Sequence, residues 1–418
     1  MLMEWFMEKN ILMRGKIKRN NPKIMKNLEF TKAKDQYLYS KNKKYLDFCM
    51  SNGAMILGHS NKIFKSSVEY QKNNGSNYSY KNTNNEKFKK ELKKSYKNYV
   101  NIQFCNSGSE ANIRALRVVR AITGRKKFAM INGSWHGSVD NFMFDFNNKN
   151  QIVGKGGPNF SKNEIVMLEY NNIKQSLNLL RKNKKKISGL IVEPIQASCP
   201  NIQSENYIKS IYNFCKKNKI YIIFDEIITG LRTKKLSVCK NLKLVPDVIT
   251  FAKIFGGGLP IGICCIEKKL NKKIDKLDKK IFFGGTFSAN PFSSIVGLNT
   301  FKYIKENESK IFHHIELISN YIEKEINIFC KNKDLDFRIQ RYYSVLRPIF
   351  SKNNILNKKQ REIFDPNLSK TESLRSYLLK NFIFIGKNGA IFISLKHNMN
   401  DAKKLVKVIT KYLSNKTS

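Results

Sequence analysis

The stretch Tyr221-Ile222-Ile223-Phe224-Asp225-Glu226, followed by Val248-Ile249-Thr250-Phe251-Ala252-Lys253 and the triplet Gly256-Gly257-Gly258, decides the reading of the fold. Each half opens as a short apolar run and stops abruptly at a charged residue. Runs of four or five such residues, bounded this sharply, read as strands buried on both faces. Ile102-Gln103-Phe104, Phe128-Ala129-Met130-Ile131 and Leu190-Ile191-Val192 are further runs of the same kind. Between them lie segments with helical spacing, such as Ile113, Leu116 and Val119 beside Ala115, Val118 and Ile122, ending at Gly124. The alternation predicts an α/β fold with a mostly parallel sheet flanked by helices.

Outside this unit, Tyr37-Leu38-Tyr39 and Tyr45-Leu46-Asp47-Phe48 flank a polar turn and predict a hairpin over 35–48. The tail reads as a second, smaller α/β unit. Its expected strands are Val345 to Phe350, Phe382 to Ile385 and Ala390 to Leu395, and a helix is expected to begin near Asn400. The polar stretch from Lys352 to Ser373, with Pro366, reads as a surface excursion. No internal repeat is visible.

The chain has 418 residues, 41% of them hydrophobic, which excludes wholesale disorder. Against 32 Asp and Glu stand 77 Lys and Arg, a net charge of +45. Such a charge suggests a polyanion partner. The basic residues, however, are mostly Lys, spread from Lys9 to Lys416 and mixed with Asn and Ile, which reads as a biased solvated surface, so nucleic acid is not expected as a partner. The eight cysteines form no C-x-x-C and no zinc spacing, so no metal site is expected and a reduced, cytoplasmic setting is. Met1 to Met13 carries Glu4, Glu8 and Lys9 and does not read as a signal peptide. No apolar run is long enough to suggest a transmembrane helix.

Ligands of parallel sheets bind beyond the carboxyl ends of the strands, so the residues just past each run are the candidates for a site. After 102–104 come Asn106-Ser107-Gly108-Ser109-Glu110, a helix start with capping-box spacing and free N–H groups. That suits a phosphate, or is a plain helix cap. After 128–131 comes Gly133-Ser134-Trp135-His136-Gly137, a loop able to present a flat ring to a flat ligand, or a half-buried Trp. Glu193 and the pair Asp225-Glu226 end strands, where a carboxylate needs a partner: a cationic ring nitrogen, or a neighbouring helix end. Lys253 abuts a buried strand, which favours a neutral, nucleophilic amine able to form a Schiff base; a snorkelling lysine is the plain alternative. Gly284-Gly285-Thr286 offers a further hydroxyl before a helical stretch, or an ordinary loop. Together, a phosphate cradle, a stacking aromatic, a carboxylate and a lysine match the needs of pyridoxal phosphate.

With these residues in hand, the chain resembles the class III, fold type I, pyridoxal-phosphate aminotransferases, and within them the glutamate-1-semialdehyde 2,1-aminomutases. The segments that carry the likeness are Met55-Ile56-Leu57-Gly58-His59, Asn106 to Ala111, Trp135-His136-Gly137, Val192-Glu193-Pro194, Asp225 to Arg232, the Lys253 segment and Gly285 to Pro291. The resemblance implies that Lys253 holds the cofactor and shuttles a proton and that Asp225 pairs with the pyridinium nitrogen. It implies that Ser107, Gly108 and Ser109 bind the phosphate, that Trp135 stacks on the ring with His136 beside it, and that Gln196 meets the ring hydroxyl. Thr286 would reach the phosphate of a second subunit, which implies a homodimer with shared sites. The implied domains are an N-terminal segment, 1–64, joining a small domain; a large cofactor-binding domain, 65–295; and a C-terminal small domain, 296–418. The implied activity is amino-group transfer, with glutamate 1-semialdehyde as leading substrate and an intermolecular transaminase as the alternative; a polyanion-binding protein on an inactive scaffold is a third reading. The chain departs from the aminomutase pattern at Ser51-Asn52-Gly53-Ala54, where a tryptophan is usual, at Gln196-Ala197-Ser198, and in a short segment between Asp145 and Ile165. Arg14 or Arg19 is the candidate for a substrate carboxylate.

Overall fold

The computed structural model describes residues 28–78, 80–145, 151–152 and 164–415. At its centre is a seven-stranded sheet in the order Tyr99–Cys105, Gly262–Glu267, Val248–Ala252, Tyr221–Asp225, Gly189–Val192, Phe128–Ile131, Ile165–Leu168. The last five run parallel to one another. Gly262–Glu267 is antiparallel to both of its neighbours. The expected mostly parallel sheet is therefore present, with two strands beyond those that the apolar runs predict. Ile165–Leu168 emerges directly from a polar stretch, and Gly262–Glu267 hides behind a glycine-proline loop with a Cys264-Cys265 centre.

The apolar runs are unbroken because both faces of the sheet are covered. Ile191, Ile223, Val248 and Cys264 point to one side, where Ala115, Leu116, Val118 and Val119 of helix Gly108–Thr123 pack on them. Leu190, Ile222, Phe224, Ile249 and Phe251 point to the other, into the main core with Tyr207, Ile208 and Ile211 of helix Ser204–Lys217. The period of two along each strand is what divides the residues. Helix Pro291–Glu306, capped by Asn290 and opened by proline, lies against the turn Lys253–Gly256. Gly297 makes that approach possible: a Cβ there would sit 2.4 Å from Phe255 O and 2.8 Å from the Phe88 ring.

The hairpin forms, with Tyr37–Ser40 paired to Lys43–Asp47. Its second strand also pairs in parallel with Ile383–Phe384, so both ends of the described chain share one four-stranded sheet. A three-stranded sheet joins Arg338–Tyr342, which was not foreseen, to Val345–Ile349 and Ile391–Phe392. Helix Met399–Ser414 is capped by Asn398, two residues before the expected cap. Asn398 accepts from Asp401 N while Asp401 accepts from Asn398 N, a closed capping box. The stretch 352–373 is not a plain surface excursion. It contains helix Lys358–Phe364 and the start of helix Ser369–Lys380, and buries Asp365, whose carboxylate accepts from Lys370 N and Thr371 Oγ1.

Substituting Gly297→Val should overpack the contact with Phe255 and Phe88, at a cost of about 1–3 kcal/mol. Thermal unfolding should show a lowered midpoint; an unchanged midpoint would mean that the helix does not approach this closely.

Candidate active site

The carboxyl ends of the parallel strands open on a cavity of about 610 Å³, a size typical of small-molecule sites. Asn106, Gly108 and Ser109 line one end, and Trp135, Glu193, Asp225 and Lys253 the middle. Ser51, Asn52, Lys387, Asn388 and Phe392, from segments of the two smaller sheets and their loops, line the rest.

Asp225 is the last residue of its strand and is 3% exposed. Its Oδ2 accepts from Asn112 Nδ2 at 2.7 Å and lies 2.7 Å from His136 Nδ1, while Oδ1 accepts from Ile227 N at 3.1 Å. Asn112 is oriented in turn by the Thr250 hydroxyl, which donates to its Oδ1 at 2.6 Å. The neighbouring Glu226 has the structural role: its carboxylate accepts from Val238 N, Cys239 N and the Thr229 hydroxyl, at 2.6, 2.8 and 2.9 Å. Two adjacent carboxylates are thus sorted, one to the cavity and one to the start of the short helix Val238–Asn241.

Lys253 follows strand Val248–Ala252, which pairs Thr250 with Asp225. Three further residues of extended chain span roughly 10 Å, and Lys253 lines the same cavity as Asp225. Its backbone is left-handed, φ 51°, a strained geometry for a non-glycine residue that concentrates at functional sites. Burial pushes its amine below the ordinary lysine range; Asp225 and Glu193 pull the other way, and Arg232 adds to the lowering. Arg232 is 1% exposed and donates to the carbonyls of Gly53 and Ile393, tying the smaller sheets to the loop after Asp225. Burial alone brings its guanidinium down to about 9.

Helix Gly108–Thr123 begins at the cavity, and the N–H groups of Gly108 and Ser109 have no intrahelical acceptor. Gly108 leaves room for Ile227, whose Cδ1 would be 2.5 Å from a Cβ there.

Other expected site residues do not themselves line the cavity wall. The Ser107 hydroxyl accepts from Glu110 N at 3.2 Å and caps the helix; Ser107 does not line the cavity, and Asn106 does. The box is half-built, since Glu110 accepts from Asn106 N at 3.1 Å. His136 is fully buried behind Asp225. Gln196 is buried just behind the lining residues Ala197 and Ser198, donating to Asn132 O and Ser134 Oγ at 3.0 and 2.8 Å. Thr286 does not line this cavity; it is exposed on a loop, and its carbonyl accepts from Asn77 Nδ2 at 3.2 Å. Arg14 and Arg19 lie outside the described residues, as does most of the segment between Asp145 and Ile165. Glu193, singled out as a strand-end carboxylate, does line the cavity, whereas Asn52 and Lys387 were missed as lining and carried no signal.

A model of the class-III aminotransferase family matches residues 17–336. The chain belongs to the class-III aminotransferases. Curated relatives named glutamate-1-semialdehyde 2,1-aminomutase include that of Caldicellulosiruptor bescii, 30% identical over 89% of this chain and 87% of that protein. Another, of Methanocaldococcus jannaschii, is 28% identical over 90% of this chain and 89% of that protein. Among solved structures, an omega-transaminase from Sphaerobacter thermophilus superposes with a TM-score of 0.83 at 19% identity, covering 94% of this chain and 92% of that one. A glutamate-1-semialdehyde aminomutase from Pseudomonas aeruginosa gives 0.83 at 18% identity, covering 93% and 87%.

The cofactor of this aminotransferase class is pyridoxal phosphate, and the residues present fit it. A desolvated amine and a braced carboxylate face one cavity, and helix N–H groups open at its end.

Asn112→Ala would remove a donor from Asp225 and leave the buried Thr250 hydroxyl unpaired, a cost of about 1–3 kcal/mol. The expected outcome is a lowered melting midpoint in the cofactor-free protein; no change would contradict the network.

Proposed function

We propose that this chain moves an amino group between adjacent carbons of one small molecule, as a glutamate-1-semialdehyde 2,1-aminomutase does. The observation that carries the reading is the placement of Lys253 and Asp225 on neighbouring parallel strands, opening on one cavity. Relatives bearing that name support the substrate. Bound there, pyridoxal phosphate supplies an aldehyde that captures amines and a ring that draws electrons from the attached carbon.

The protein's own residues do the rest. Nζ of Lys253, whose charged form burial disfavours, takes a proton from the substrate carbon and shuttles it through the reaction. The Asp225 carboxylate, braced by Asn112 and His136, holds the proton on the ring nitrogen. The N–H groups of Gly108 and Ser109 hold the phosphate, and Trp135 covers the ring. Thr286, exposed on its loop, serves the site of a second subunit in a homodimer. Among the described residues no helix is long and apolar enough to cross a membrane, and the eight cysteines are buried and free; we place the enzyme in the cytoplasm.

Glutamate 1-semialdehyde supplied without a second amino donor should yield 5-aminolevulinate. Strict dependence on a separate donor would replace the mutase reading with that of an intermolecular transaminase. Asp225→Asn should lower turnover roughly 10²-fold or more, measured at saturating cofactor; near-normal turnover would remove Asp225 from the mechanism.

A further inference from the structure

The wall that carries Trp135 consists of two loops, and one holds the other. Residues 132–135 follow strand Phe128–Ile131, and residues 193–198 follow strand Gly189–Val192. Glu193 Oε1 accepts the Trp135 N–H at 2.8 Å. Gln196 Nε2 donates to Asn132 O at 3.0 Å and to Ser134 Oγ at 2.8 Å. Ser198 Oγ donates to Gly133 O at 3.1 Å. Each residue of the tetrapeptide is therefore gripped by a side chain of the second loop. Trp135 is 46% exposed, so burial of its own ring does not hold it. The second Glu193 oxygen accepts from Ala197 N at 3.4 Å, closing the carboxylate between both loops while it remains on the cavity wall.

We propose that Glu193 is a positioning residue of this site: it fixes Trp135 through the backbone N–H. The inference rests on the cofactor reading only where cofactor is measured. The charged and titratable groups facing Glu193 are Asp225, His136, Lys253 and Tyr170. Burial first, and then Asp225, push its carboxyl from 4.5 up to about 7; His136 and the N–H groups of Trp135 and Ala197 pull it down.

The test uses the full chain with Trp5→Phe, which leaves Trp135 as the sole tryptophan. Glu193→Gln keeps an acceptor for the Trp135 N–H but carries no charge, whereas Glu193→Ala has neither. In cofactor-free protein, acrylamide should quench Trp135 more strongly in Glu193→Ala than in the parent, and Glu193→Gln should restore the parent value. Pyridoxal phosphate should bind about tenfold more weakly to Glu193→Ala, the scale of one lost hydrogen bond to a charged group. Parental quenching and affinity in Glu193→Ala would overturn the positioning role. If Glu193→Ala does not fold, Glu193→Asp, which withdraws the carboxylate from the Trp135 N–H, should show the same rise in quenching, and its absence would overturn the role equally. A parent protein that binds no pyridoxal phosphate would sink the cofactor reading, while the quenching measurement would still decide the clamp.

Discussion

A carboxylate at the end of a fully covered strand is the constraint on which the site is built. Asp225 cannot reach bulk water, so its charge is met by Asn112, His136 and the Ile227 N–H. Those donors come from the helix after strand Tyr99–Cys105, the loop after Phe128–Ile131 and its own turn. Satisfying one anion therefore ties three strand ends together. The parallel register with Val248–Ala252 then places Lys253 at the same edge, where burial weakens its hold on a proton. The strained backbone at Lys253 is braced by helix Pro291–Glu306, which can pack this closely because residue 297 has no side chain.

Much of this was legible in the sequence, for identifiable reasons. A buried strand cannot end in a bare lysine or aspartate without a purpose or a partner, so Lys253 and Asp225 stood out. What spacing alone does not encode is which way a loop side chain turns. Asp225 and Glu226 are adjacent and chemically alike, yet only the pleat and the nearby start of helix Val238–Asn241 separate their roles. Ser107, Gln196 and His136 have suitable functional groups, and each also engages a neighbour: a helix cap, a loop clamp and a buried carboxylate. Asn52 and Lys387 were invisible because they reach the cavity from distant chain segments. The strands Ile165–Leu168 and Gly262–Glu267 were lost where polar or glycine-rich neighbours blur their edges.

The chain's large positive charge does not dominate the site. Its charged lining comprises Glu193, Asp225, Lys253 and Lys387, an even balance. The excess lysines stand elsewhere, several with their stems and ammonium groups over aromatic rings, as Lys44 does 3.6 Å from the centroid of Tyr37. Catalytic electrostatics here are local, set by burial and by pairing within one cavity.

The central claim is that one amine among many lysines carries the cofactor. Incubating the full chain with pyridoxal phosphate, reducing with borohydride and mapping the modified peptide by mass spectrometry tests it directly. The pyridoxyl group is expected on Lys253 at one per chain; labelling scattered over surface lysines, with Lys253 unmodified, would contradict it.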